Sequence, residues 1–138
     1  MFHACDNPQL IETHISWLVL LGDYAYKLKK PVNLGFIDCS TLALRKHYCE
    51  EEVRLNRRTA PDIYLDLQPI SGTETAPRLG DDSQPFEYAV RMLRFDNDQL
   101  LDRLARSNRV DESVVLALAA TIASFHASWL VMMRPSIL

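Results

Sequence analysis

The chain has 138 residues, of which 48% are hydrophobic and 24% charged, enough for one ordinary soluble domain with a core and too few for two. Fifteen Lys and Arg against eighteen Asp and Glu leave a net charge of −3, which argues against a nucleic-acid footprint or an anionic-membrane binder and makes any basic patch a local one. Three cysteines at irregular positions (Cys5, Cys39, Cys49) form no disulfide framework, and the start MFHACDNPQLI has neither the basic nor the apolar region of a signal peptide, so a reducing cytoplasm is expected.

The first patterned run, HISWLVLL at 14 to 21, predicts a largely buried strand. Gly22-Asp23 suits a tight primed turn, after which YAYKLKK returns antiparallel until Pro31 ends it. The two-residue period of a strand puts Tyr24, Tyr26 and Leu28 on one face and Ala25, Lys27 and Lys29 on the other. Asp38-Cys39-Ser40-Thr41 offers side-chain caps, and from Leu42 to about Arg58 there is no Gly or Pro, so a helix is predicted that stops at Ala60-Pro61. At about 100° per residue, Leu42, Cys49 and Val53 fall together, Leu44, Tyr48 and Leu55 form a second group, and Arg45 and Glu52 lie in the arc between them. Glu51 points to the far edge and Glu50 lies outside the arc, which leaves Glu52 as the acid directed toward the body of the domain.

A third strand is read in IYLDLQPI, and the polar SGTETAPRLGDDSQP at 71 to 85 predicts a long exposed loop. FEYAVRMLRF at 86 to 95 is the next strand, residues 97 to 106 a short helix, and Asp111-Glu112 opens a longer helix, apolar at Val114, Val115, Leu118, Ile122, Phe125 and Trp129. An antiparallel sheet with helices is an α+β fold. Residues 113 to 133 hold one ionisable side chain, His126, but Thr121, Ser124 and Ser128 accompany it, so a membrane span is a minor alternative.

Lys27 shares its strand face with a small residue two positions earlier and faces a helix with an inward acid, an arrangement that can bind phosphate oxygens while Glu52 fixes the ammonium. Two plainer alternatives stand beside it: Lys27, Lys29 and Lys30 as the solvated face of an edge hairpin, and Glu52 paired with Arg45 or with its helix neighbours. His3, Cys5, His47 and Cys49 make two His-x-Cys pairs, but a spacing of two turns helical side chains about 200° apart, a poor geometry for shared zinc. His126 is expected to be a hydrogen-bonded core histidine, and Arg54, Arg57 and Arg58 suit a helix C-terminus without a bound anion. Neither a Gly-x-Ser-x-Gly nor a P-loop word occurs.

The words IETHISWLVLLGDYAYKLKKPVNLGFIDCSTL, HYCEEEVRLNRRTAPDIYLDLQPI, EYAVRMLRF and IASFHAS, over residues 10 to 128, resemble the bacterial aminoglycoside phosphotransferase-like family, in particular the branch often fused to a P-loop ATPase domain. The resemblance implies a protein-kinase-like fold, with its N-terminal lobe at 1 to 95 and the helical start of an incomplete C-terminal lobe at 96 to 138. It makes Lys27 the third-strand lysine that holds nucleotide phosphates and Glu52 its helix partner, with Glu50 and Glu51 as open alternatives. It places Ala25 against the adenine, and Met92, Arg94 and Phe95 in the hinge whose backbone meets the adenine edge. Thr13 to Ser16 falls where kinases carry a glycine-rich loop; no such loop is present, so phosphate contact there would come from Thr13, Ser16, His14 or backbone amides.

The family's HGD-type catalytic loop and later metal-binding aspartate have no counterpart, since no aspartate follows Asp111. The implied protein is a nucleotide-binding half, inactive alone, with weak ATP binding and Mg²⁺ only when a complete C-terminal lobe supplies ligands. Two further readings remain. One is a non-enzymatic module that binds a protein partner or itself through the apolar helix at 113 to 130; the other is a truncated gene product without independent function.

Overall fold

Short turns and alternating side chains build the first part of the chain. In the computed structural model, which describes residues 7–132 and side chains as far as residue 128, β1 (Gln9–Glu12) pairs with β2 (Ser16–Leu21) and β2 with β3 (Tyr24–Lys29), both antiparallel. Sequence periodicity gives no sign of β1, because all four of its residues are exposed and carry no inside-outside alternation. The β2–β3 turn is the predicted Gly22-Asp23; Gly22 alone takes a positive φ, 56°, a conformation glycine adopts without steric cost.

Helix α1 (Leu42–Asn56) starts where Thr41 Oγ1 accepts the Leu44 amide at 3.2 Å, which satisfies one of the unpaired donors of its first turn. It is followed by β4 (Tyr64–Thr73), β5 (Ala76–Leu79) and β6 (Glu87–Leu93). The long exposed loop expected at 71 to 85 is therefore partly sheet: β4 runs on to Thr73 and folds back as β5. Pro77 and the polar side chains that hid this hairpin are tolerated because β5 is an edge strand, where a missing N–H breaks no inner ladder. Gly72 has φ +90°, and a Cβ there would lie 2.6 Å from the Ala76 carbonyl oxygen. Gly72→Ala is thus expected to destabilise the chain by about 1–3 kcal/mol, read as a lower urea midpoint.

The six strands form one antiparallel sheet in the order β1-β2-β3-β6-β4-β5. β3 lies inside it, between β2 and β6, so its lysines do not belong to an edge hairpin. On the α1 side Leu20, Ala25, Cys49, Val90 and Met92 are buried, with Leu18, Val53, Ile63, Tyr64 and Leu67 packed against them. On the opposite side Tyr26, Ile70 and Ala89 are buried. The two faces of β3 follow the predicted alternation. On α1, Cys49 and Val53 pack inward as predicted, whereas Leu55 is exposed.

The described residues separate into two units that divide between Arg94 and Phe95. The second contains a 3-10 turn (Asn97–Gln99), α2 (Leu101–Arg106) and α3 (Glu112–Met132), with Asp111 Oδ1 capping α3 by accepting the Val114 amide at 3.0 Å. His126 is exposed on α3, its ring centroid 6.1 Å from that of Phe125, and is not the core histidine that an apolar helix predicted. Among the described residues no helix is long and apolar enough to cross a membrane. The fold is α+β.

Candidate functional site

The alternation of β3 directs Ala25, Lys27 and Lys29 to the side covered by α1, and one helical position on that cover, Glu52, meets both lysines. Lys27 Nζ donates to Glu52 Oε1 at 2.7 Å, and Lys29 Nζ donates to Glu52 Oε2. The carboxylate thus spends one oxygen on each ammonium. The three side chains differ in access: Lys27 is 30% exposed, Glu52 10% and Lys29 7%. Burial pushes the Glu52 carboxyl up, but the hydrogen bonds and charges of Lys27 and Lys29 outweigh it and hold the group below the ordinary carboxylate range.

The neighbouring acids do other work. Glu51 pairs with Arg54 at 2.7 Å and Glu50 lies 3.9 Å from Lys46, both at the helix surface, so of the three consecutive glutamates Glu52 is the one that reaches Lys27. Arg45 does not pair with Glu52. Its Nε donates to both carboxylate oxygens of Glu87, at 3.0 and 2.9 Å, and its Nη1 to the carbonyls of Cys39 and Ser40, at 3.1 and 3.3 Å. Lys30 leaves the cluster for Glu12 and stands 5.4 Å from the centroid of the Trp17 ring.

Ala25 and Met92 are direct cross-strand partners, both buried in the core on the α1 side. At the end of β6 the Leu93 amide donates to the Ile63 carbonyl and the Arg94 amide to the Asp23 carbonyl, at 2.9 and 2.8 Å. Those two amides are therefore already engaged and do not offer themselves to a ligand edge at this strand end. Phe95 is exposed and opens the second unit. In the β1–β2 turn, the Thr13 hydroxyl donates to the Ser16 carbonyl at 3.1 Å and accepts the Ser16 amide at 3.0 Å. The Ser16 hydroxyl, directly across from Lys29 in register, is buried with no hydrogen-bond partner. Thr13 thus closes its own turn, Ser16 points its hydroxyl into the protein, and Thr13 and His14 are the exposed residues of this segment.

Cys49 is fully buried while His47, two residues earlier, is exposed, so the helix turns this pair to opposite sides; His3 and Cys5 lie outside the described residues. Burial drives the Cys49 thiol up to about 12, and it also raises the Tyr64 phenol, aided by the charge of Glu52. Among the described residues no group of three or more His, Cys, Asp or Glu is placed to hold a metal ion.

The sequence points to Lys27 and Glu52 as partners and leaves out Lys29, which the structure adds to the pair. The signal for it is present, because the two-residue period already puts Lys29 on the Lys27 face, at the last position of β3.

No protein-family model and no solved structure matches the chain. It is similar to uncharacterised proteins of Mycobacterium tuberculosis and Mycobacterium bovis, 34% identical over 115 residues that make up 83% of this chain and 22% of each relative. The chain thus spans about a fifth of the length of the curated relatives it matches.

Proposed function

We propose that the first unit is the nucleotide-binding half of an aminoglycoside phosphotransferase-like, protein-kinase-like phosphotransferase, with Lys27 as its phosphate-binding lysine. The observation that carries this reading is the Lys27–Glu52 pair, 2.7 Å between an interior strand and the helix packed on it. An ion pair of this kind holds an ammonium in one place while leaving it partly open to solvent, which is what phosphate oxygens require. The extra strand β1 supports it as well, because it makes Lys27 a residue of the third strand in chain order, where the resemblance puts the phosphate-binding lysine. Ala25, two positions earlier on the same face and opposite Met92, is the small residue against which an adenine would lie.

The chemistry of transfer needs an aspartate to orient the acceptor and further ligands for Mg²⁺. Nothing in the 138 residues matches the HGD-type loop, so those groups would come from outside them, and ATP would be bound weakly by this half. Millimolar Mg²⁺-ATP is expected to raise the melting temperature of the chain, and Lys27→Ala is expected to abolish the rise. Equal shifts in the two proteins would overturn the proposal.

A second reading rests on a different observation. Val115, Leu116, Leu118 and Ile122 of α3 are exposed, more apolar surface than one helix ordinarily leaves open. An interaction module would use it, and light scattering after size-exclusion chromatography would then show a species heavier than the 15.8 kDa monomer.

A further inference from the structure

We infer that Lys29 is a positioning residue of this site: it neutralises Glu52 permanently, so that the charge of Lys27 is free for a polyanionic phosphate ligand. The inference rests on the reading of Lys27 as a phosphate-binding lysine and adds to it a second cation that the one-lysine, one-glutamate arrangement does not contain.

The argument is one of charge and access. Two ammonium groups share one carboxylate, one on each oxygen, so the cluster keeps one net positive charge. A lone lysine–glutamate pair would be neutral, and its lysine would have to leave the glutamate uncompensated in order to turn to a phosphate. That step is costly at a side chain only 10% exposed, where an unpaired carboxylate lacks water to solvate it. Lys29 removes the cost. It is the less accessible of the two cations, 7% against 30% exposed, so an incoming anion meets Lys27 while Lys29 stays on Oε2. The uncharged groups around Lys29 offer it no competing anion. Ser16 stands across the strand pair, Cys49 is buried nearby with its thiol kept protonated, and Tyr64 is a neutral phenol at ordinary pH. The Asn56 side chain donates to the Glu52 carbonyl at 2.8 Å and so leaves the carboxylate to the two lysines.

The test is a phosphorus NMR titration of the full chain with inorganic tripolyphosphate and with Mg²⁺-ATP. Lys29→Met is expected to weaken tripolyphosphate binding about tenfold, because the remaining Lys27–Glu52 pair is neutral. Adding Glu52→Gln to Lys29→Met restores the single positive charge and is expected to return most of the lost affinity. Restoration by deleting an acid is a result that a merely structural Lys29 does not produce. Lys29→Gln keeps a donor to Oε2 without the charge, so it is expected to fold normally, by circular dichroism, and still bind about tenfold more weakly; it decides the matter if Lys29→Met does not fold. Binding by Lys29→Gln equal to that of the unaltered chain, with Lys27→Ala inactive, would overturn the role of Lys29 and leave the phosphate site standing. A double variant as weak as Lys29→Met would overturn it too. If the unaltered chain binds neither ligand, the phosphate reading itself falls and this inference with it.

Discussion

Glu52→Ala is expected to destabilise the first unit by on the order of 3 kcal/mol, the largest single effect at the candidate site. The substitution leaves two ammonium groups side by side under α1 with no anion between them, and Lys29, only 7% exposed, is poorly reached by water. Lys27 is nearly a third exposed, so water screens its share, and the cost comes mainly from Lys29. A urea titration reads it as a lower midpoint at unchanged slope.

The stability of the unaltered chain should fall at acid pH. The Glu52 carboxyl is held below its ordinary 4.5, so its contribution is complete above that value and is lost as pH falls through the native pKa. Glu52→Gln, which cannot titrate, should flatten that acid limb. A variant with the same acid limb as the unaltered chain would show that Glu52 is not the group responsible.

Arg45→Ala comes next, with an expected loss of about 2–4 kcal/mol. Arg45 is buried where the chain enters α1, and it fastens that entry to β6 by its two bonds to Glu87 and its bonds to the carbonyls of Cys39 and Ser40. Removing it leaves a carboxylate and two carbonyls short of a donor in a poorly solvated place. Arg45→Lys should recover little, because a single ammonium cannot reach a carboxylate and two carbonyls that a planar guanidinium spans. The same urea titration checks both variants; a loss under about 1 kcal/mol for Arg45→Ala would show that water replaces these bonds. Since α1 also carries Glu52, loosening its start should weaken any ligand affinity that depends on the Lys27 position.

Much of the site was legible because side-chain direction is a local property. The period of two put Ala25, Lys27 and Lys29 on one face of β3, and the helical period singled out Glu52 from Glu50 and Glu51. What local periods do not carry is the neighbour of each face. The reading of Lys27 and Lys29 as a solvated edge hairpin failed because β6, more than sixty residues away in the chain, pairs with β3 and turns an edge into the interior of a sheet. The alternative that pairs Glu52 with Arg45 fails because Arg45 goes to Glu87, 42 positions on, of which no local pattern gives a sign.

Elements without a buried face escaped altogether. β1 is exposed throughout and β5 nearly so, and each is held by backbone pairing to a strand whose own pattern is clear. Their hydrogen bonds depend on main-chain groups common to every residue, so no side-chain period announces them.

The amino-acid sequence by itself determined the α+β class, the turn at Gly22, a start of α1 just after the capping run 38 to 41 and the direction of Lys27 and Glu52, all of which follow from contacts within a few residues. Only the tertiary structure decided that these two side chains meet, that Lys29 joins them and that Arg45 goes to Glu87. Charged groups pair with whatever the strand order brings within reach, and strand order is set by pairings between distant segments of the chain.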